Sequence, residues 1–287
     1  MNIAVASGKG GTGKTTIATS LALTLSNQDQ TVSVLDCDVE APNAHLFLQP
    51  EFRQAKNVDR LIPQVDAKRC TACGRCAEIC QYHAIVVLGQ KTLVFSELCH
   101  GCGSCTLECP EKAITEIPEK LGILEAGVTP QGIKFARGLL DVGEPMAVPV
   151  IRELKKWQPP QNAAISIWDS PPGTSCPVVE SIRGADFLLL VTEPTPFGLH
   201  DLKLAVQLAT EFDIPAGVVI NRDGVGDTQV EVFCQQMEIP ILMRIPLDRD
   251  IGAGIAQGKT LIDIRPEYQT RFQEMFAQIR DRVTQNV

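Results

Sequence analysis

The chain has 287 residues, 44% of them hydrophobic and only 5% aromatic, enough for one large α/β domain with a small insert. Its formal net charge of −8 argues against nucleic acid or an anionic membrane surface as the default partner. No run of 18 or more apolar residues occurs, so no stable helical membrane span is expected. Met1 leads straight into a strand-like run, which leaves no room for a signal or transit peptide and makes a cytoplasmic location the expectation.

In chain order, residues 1–60 read as strand (Ile3 to Ala6), glycine-rich loop, helix (from Ile17) and second strand (Thr31 to Leu35) ending in Asp36-Cys37-Asp38. Asn43 to Arg60 has no clear period and reads as loop with a short helix. Between about Pro63 and Pro118 helical periodicity vanishes and cysteine and glycine rise. Only short apolar runs remain there, Ile85 to Leu88 and Leu93 to Phe95, too little for an independent core. From Leu121 the α/β texture resumes, with an approach strand after Pro130, a helix around Val148–Trp157 and a break at Pro159-Pro160. Strands follow at Ala163 to Trp168, Phe187 to Val191, Ala216 to Ile220 and Ile241 to Ile245, with helices at Leu199–Phe212 and Val230–Met237. The last helix, Pro266–Val283, carries Tyr268, Phe272, Met275, Phe276, Ile279 and Val283 at helical spacing and reads as docked on the core. Strand and helix alternation predicts a doubly wound, mostly parallel sheet in three layers.

Gly8 to Thr15 fits G-x-x-x-x-G-K-[ST], the phosphate-binding loop, and has the strand before and the helix after that the motif requires. Glycines free backbone N–H groups to face phosphate oxygens, and the helix N-terminus adds its positive end. Gly8, Lys9, Gly10, Gly11, Thr12, Gly13, Lys14, Thr15 and Thr16 are therefore candidate nucleotide-binding residues. Lys14 is placed on the β- and γ-phosphates and the Thr15 hydroxyl on Mg²⁺. Lys9 directly after the first glycine makes the loop resemble the deviant Walker A loop of the MinD/ParA/nitrogenase iron-protein class of ATPases. That resemblance implies a homodimer with nucleotide, in which Lys9 crosses to the other subunit's nucleotide.

Ligands of open α/β sheets sit at the carboxyl ends of the strands. Asp36-Cys37-Asp38 follows strand two. The resemblance assigns one aspartate there to switch I, with Asp38 positioning the attacking water and Asp36 nearer the Mg²⁺ shell, or the reverse. Trp168-Asp169-Ser170-Pro171-Pro172-Gly173 resembles the family's Walker B and switch II segment, which implies Asp169 on Mg²⁺ and the Gly173 N–H near the γ-phosphate. Asn221-Arg222 and Pro246-Leu247-Asp248 resemble the segments that hold the adenine in this class, and an amide such as that of Asn221 both gives and takes hydrogen bonds.

Eight of the eleven cysteines lie between Cys70 and Cys109. Cys70, Cys73, Cys76 and Cys80 form C-x2-C-x2-C-x3-C, and Cys99, Cys102, Cys105 and Cys109 repeat it, followed by Pro110. This is the run of bacterial ferredoxins that hold [4Fe–4S] clusters, and thiolates are the soft ligands such clusters take. In two-cluster ferredoxins the fourth cysteine of each run ligates the other cluster. One cluster then takes Cys70, Cys73, Cys76 and Cys109, and the other Cys99, Cys102, Cys105 and Cys80. Gln81 stands where the first run's proline is expected, which removes no ligand. Zinc, the competing reading, usually pairs two C-x2-C units across a longer loop. Of the other cysteines, Cys37 lies between two candidate aspartates, Cys176 reads as a buried small residue and Cys234 as core.

The expectation is a P-loop ATPase domain, 1–61 and 118–287, interrupted by a two-cluster ferredoxin domain at 62–117. Its cofactors are ATP, Mg²⁺ and two [4Fe–4S] clusters. The first functional reading couples hydrolysis to electron transfer with a protein donor or acceptor; the alternative is an iron–sulfur cluster or metallocofactor assembly and carrier ATPase with a cluster acceptor.

Overall fold

The computed structural model describes residues 1–28, 30–157 and 163–285. The elements run β1 (Asn2–Ala6), α1 (Lys14–Ser26), β2 (Val32–Asp36), α2 (Ala44–Leu48), β3 (Glu51–Val65), α3 (Arg75–Ile79), β4 (Ile85–Leu88), β5 (Lys91–Val94), α4 (Ser104–Leu107), β6 (Ile114–Val128), β7 (Lys134–Leu140) and α5 (Ala147–Lys156). They continue β8 (Ile165–Asp169), α6 (Cys176–Ile182), β9 (Phe187–Thr192), α7 (Pro196–Glu211), β10 (Ala216–Asp223), α8 (Gln229–Gln236), β11 (Ile241–Pro246), α9 (Arg249–Ala256), α10 (Leu261–Ile264) and α11 (Tyr268–Gln285).

Among the described residues one sheet holds nine strands in the order β11-β10-β9-β1-β8-β2-β7-β6-β3. From β11 to β7 all neighbours pair parallel; β6 and β3 are added antiparallel. Strand alternation divides the apolar residues between two cores. Ile3, Val5, Val34, Ile167, Leu189 and Val191 face one side, where they meet Ile17 and Leu21 of α1 and Phe272, Met275 and Ile279 of α11. Ala4, Leu35, Trp168, Leu188 and Leu190 face the other, packed on Ile151 and Leu154 of α5, Ile182 of α6 and Leu202 and Val206 of α7. The expected three-layer, doubly wound sheet is therefore the observed fold, with α11 in the core as its period indicates. The break at Pro159-Pro160 lies outside the described residues.

The stretch read as loop after Asn43 is different. Ala44–Leu48 is the short helix, but residues from Glu51 onward form β3, a 15-residue edge strand. β6 pairs with β7 only as far as Gly122↔Leu140, whereas its pairing with β3 continues to Val65↔Ile114. Residues 114–121 thus leave the sheet as a two-stranded ribbon, roughly 25 Å at about 3.3 Å per residue. The direction follows from register. Asp36 is level with Arg137 of β7, and Leu140 lies farther toward the strand's carboxyl end. The antiparallel β6 therefore carries the ribbon out beyond the carboxyl edge of the sheet. The ribbon's tip bears α3, the β4–β5 hairpin and α4, gathered on a small core of Cys76, Ile85 and Ile114 with Val65, Val87 and Val94. Positions 62 and 117, the edges drawn from composition, fall inside β3 and β6, whose pairing runs past them unbroken.

Candidate functional site

The loop Ser7 to Gly13 joins β1 to α1. Gly11 and Gly13 have φ of 79° and 96°, and Gly13 caps α1. Gly8 is fixed by space: a Cβ there would lie 2.2 Å from Asp201 Cβ of α7. Lys14, the first residue of α1, is buried, and burial lowers its pKa against the opposing fields of Asp169 and Asp38. Thr15 Oγ1 donates to Asp169 Oδ2 at 2.6 Å, so the loop hydroxyl and the carboxylate at the end of β8 already meet. Asp169 Oδ1 is buried and has no hydrogen-bond partner among the described residues. An orphaned carboxylate oxygen beside a threonine hydroxyl is a donor set that suits a hard, oxygen-seeking cation such as Mg²⁺.

The two aspartates after β2 part company. Asp36 is fully buried, and its Oδ2 accepts from the N–H groups of Asn43 and Ala44, both at 2.9 Å, with Asp38 N–H at 3.3 Å from Oδ1. Asp38 is half-buried and lies within the field of Lys14, which lowers its pKa against the larger, raising effect of burial. Burial also pushes the Asp169 carboxyl up to about 7, partly offset by the Thr15 hydrogen bond and the charge of Lys14. It raises Asp36 as well, and the neighbouring Asp169 adds to that rise.

A pH dependence follows. The folded protein retains a proton on the Asp36–Asp169 pair that the unfolded chain releases near an ordinary aspartate pKa of about 3.9. In Mg²⁺-free, nucleotide-free buffer Asp169 therefore makes stability fall as pH rises from about 4 to about 7, by up to about 1.4 kcal/mol per pH unit. Urea unfolding of the wild type and Asp169→Asn at pH 5 and pH 7 checks this, with the variant expected to show the shallower loss.

The remaining candidates are already engaged. Gly173 has φ of 96° and its N–H donates to Ser7 O at 3.0 Å. Asn221 Nδ2 donates to Thr12 O at 2.8 Å, and Arg222 Nη2 reaches Gly11 O at 3.4 Å, so both brace the loop. Pro246 ends β11; Asp248 caps α9 and pairs with Arg265 at 2.9 Å. Cys37 is buried, and burial raises its pKa strongly, which leaves an unreactive thiol packed in the core. Cys234 is in the same core, whereas Cys176 is exposed rather than buried, because it opens α6 ahead of the turn that carries Val178 into the core.

One participant escaped the sequence reading. Glu193, buried just after β9, lies 3.2 Å from Lys9 Nζ and 2.7 Å from Arg222 Nη1. Its position one residue past an apolar strand is the signal that picked out Asp36 and Asp169.

At the ribbon tip the two cysteine runs have the same backbone. Ala72 and Gly101, Gly74 and Gly103, His83 and Lys112 occupy corresponding positions, and all have positive φ. Ala84 N–H donates to Cys80 Sγ and Ala113 N–H to Cys109 Sγ, each at 3.3 Å. Two cavities lie between the runs. One, of about 340 Å³, is lined by Cys70, Cys73, Cys76 and Cys109. The other, of about 400 Å³, is lined by Cys80, Cys99, Cys102 and Cys105. Each cavity thus holds three cysteines of one run and the fourth of the other. No Cys, His, Asp and Glu group among the described residues could hold a single metal ion. His100 stacks on Tyr82, ring centroids 3.6 Å apart, on the wall of the second cavity. No helix among the described residues is long and apolar enough to cross a membrane.

Comparison with known proteins bears on the nucleotide-binding domain. An uncharacterized protein of Methanocaldococcus jannaschii is 30% identical over 282 residues, 98% of this chain and 97% of that protein. The cytosolic Fe-S cluster assembly factor NUBP2 homolog of Trichoplax adhaerens is 24% identical across 93% of this chain and 89% of its own length. The iron-sulfur cluster carrier protein of Methanococcus maripaludis is 24% identical across 98% of this chain and 84% of its own. Among solved structures, the septum site-determining protein MinD of Pyrococcus horikoshii, complexed with Mg-ADP, superposes with a TM-score of 0.57 at 18% identity, covering 96% of this chain and 93% of that one. At that identity the likeness speaks for the fold alone. The family model of the CobQ/CobB/MinD/ParA nucleotide binding domain matches residues 3–262, from β1 to α10 and through the loop, strand ends and ribbon described above, and the chain belongs to that family.

Proposed function

We propose that this protein is an ATP-hydrolysing iron–sulfur protein whose nucleotide site governs a cluster-bearing ribbon, and that it serves the assembly or delivery of clusters. The observation that carries the reading is the sorting of eight cysteines into two four-thiol cavities on a ribbon that leaves the nucleotide-site edge of the sheet. Residues 1–61 and 118–287 act as the ATPase domain and 62–117 as the cluster module. Gly8 to Thr16 cradle the phosphates and Lys14 bears on the β- and γ-phosphates. Thr15 and Asp169, with Asp36 behind them, hold the magnesium, which when bound offsets the charge of the transferring phosphoryl group. Asp38, the more accessible of its pair, orients the attacking water. Glu193 holds Lys9 within its own chain until a second copy closes on the nucleotide, a cytoplasmic homodimer being the working state.

The names of the cluster assembly and carrier relatives favour delivery over electron transfer. Electron transfer is the second reading. It is favoured by the full set of four thiols in each cavity, since a set shared between subunits would suit release better. Anaerobic purification followed by incubation with an apo-ferredoxin separates them. Delivery requires iron to move to the acceptor faster with Mg·ATP than without it. Iron that stays bound under both conditions while the clusters cycle between redox states would sink delivery in favour of electron transfer.

A further inference from the structure

Arg60 of β3 carries a charge yet is only 5% exposed. Its Nη2 lies 2.9 Å from Glu119 Oε1 on the neighbouring ribbon strand and 3.6 Å from Glu144 Oε2 in the loop after β7, and its Nη1 lies 3.9 Å from Met146 Sδ. Its aliphatic stem supports the cysteine loop of the second cavity: a Cβ added at Gly101 would lie 3.0 Å from Arg60 Cγ and 3.0 Å from Leu61 O. Gly101 N–H in turn sits 3.4 Å from Cys99 Sγ. One buried fork therefore touches the ribbon, the second cysteine cavity and the main body.

The loop that brings Glu144 is tied to the nucleotide site from the other side. Val39, next to Asp38, accepts from Leu140 N–H at 2.9 Å, and its side chain presses on Gly138 so closely that a Cβ there would lie 2.7 Å from Val39 Cγ1. Asp141 N–H donates to Leu121 O at 2.8 Å, Glu144 N–H donates to Asp141 O at 3.1 Å, and Lys120 pairs with Asp141 at 3.0 Å. Bonded or packed contacts thus run without a gap from Asp38 through Val39, Leu140, Asp141, Glu144 and Arg60 to Gly101 and Cys99. None of the links between Asp38 and Gly101 belongs to the nucleotide loop or the thiol set.

We propose that Arg60 is a positioning residue that passes the state of the nucleotide site to the second cysteine cavity. The inference rests on the reading of that cavity as a cluster site. A nucleotide that draws Asp38 toward its phosphate end moves Val39, and with it the loop that presents Glu144. The grip of Glu144 on the guanidinium then changes, and so does the support under Gly101. Transmission needs two arrangements of these contacts that the nucleotide favours unequally. Nη2 of the guanidinium meets both carboxylates, and lysine keeps the charge at this position but loses the planar group that holds that nitrogen between them.

The test uses full-length protein reconstituted anaerobically with iron and sulfide. Iron loss to bathophenanthroline is followed with and without Mg·ATP, beside the electron paramagnetic resonance spectrum of the dithionite-reduced protein. In the wild type, Mg·ATP should change the loss rate of one of the two clusters about fivefold or more and alter its spectrum. Arg60→Lys and Glu144→Gln should each bring that ratio close to one, leaving iron content and ATP affinity as in the wild type. If Arg60→Lys fails to fold, Glu144→Gln, which lies off the ribbon, decides. Wild-type ratios in the variant or variants that fold, or a wild type whose two clusters both ignore nucleotide, would overturn the inference while leaving the cluster reading intact. A chain that takes up no iron would overturn the cluster reading, and this inference with it.

Discussion

Lys14→Ala is expected to weaken Mg·ATP binding by about one to two orders of magnitude, the scale of a lost charge-assisted hydrogen bond, and to reduce hydrolysis by at least about a hundredfold. Lys14 is buried at the first turn of α1, where the loop's backbone N–H groups and the helix end converge, and the nearby carboxylates are Asp169 and Asp38. Its ammonium lies in the field of both carboxylates at the head of the loop. Removing it leaves the phosphates facing two carboxylates with only the metal to offset them. The fold should survive: Asp36 keeps its backbone donors and Asp169 keeps the Thr15 hydroxyl. Lys9→Ala is the informative contrast. Lys9 is more exposed and is held by Glu193, outside the Lys14–Asp169 centre. That variant should bind Mg·ATP nearly as well as the wild type and lose nucleotide-dependent dimerisation. Isothermal titration, phosphate release and light scattering separate the two lysines. Unchanged Mg·ATP affinity in Lys14→Ala would remove the phosphate-loop assignment.

The parts of this fold written as local patterns could be read directly. β1, β9 and β10 are apolar runs because parallel strands are covered on both faces, and each ends near a polar residue at the carboxyl edge. The loop at Gly8 was legible because its glycines answer to contacts fixed by the chain's own backbone and by Asp201. The ribbon was not. β3 exposes residues on both faces along most of its length, so no period of two marks it. Its strand character comes from pairing with β6, some sixty residues away in the sequence, which no local window contains. The charges between Glu51 and Arg60, among them Arg53, Lys56 and Asp59, are what an edge strand carries to deter further pairing. Asp36 and Asp38 were legible as a pair but not as individuals, because the difference lies in which one the backbone of Asn43 and Ala44 wraps. Arg60 and Glu193 gave weaker signals still. A charged residue gains meaning from burial against partners distant in sequence, and burial of this kind is set by tertiary packing.

Cys109→Ser should empty the first cavity, although Cys109 belongs to the second run. The cavity with Cys70, Cys73 and Cys76 closes on Cys109, and the cavity with Cys99, Cys102 and Cys105 closes on Cys80. The cause is the chain path. Each run places two cysteines in its loop and the third on its short helix, α3 or α4, which carries the fourth away across the small shared core. Arg75, on α3, pairs with Glu108 beside Cys109 at 3.0 Å and holds that crossing in place. Serine is close to cysteine in shape but lacks the soft thiolate, so the substitution tests ligation with little change in packing. Loss of one cluster should lower iron from about eight to about four per chain and remove the magnetic coupling between two reduced clusters. In Mössbauer and paramagnetic resonance spectra, Cys109→Ser should group with Cys70→Ser and Cys73→Ser, and Cys80→Ser with Cys99→Ser and Cys102→Ser. Grouping by run instead of by cavity would mean that each run closes on its own cluster, and the crossed ligand sets would be wrong. Four irons lost by either route, with Mg·ATP binding retained, would also show that the ribbon tip and the nucleotide site are separate binding units.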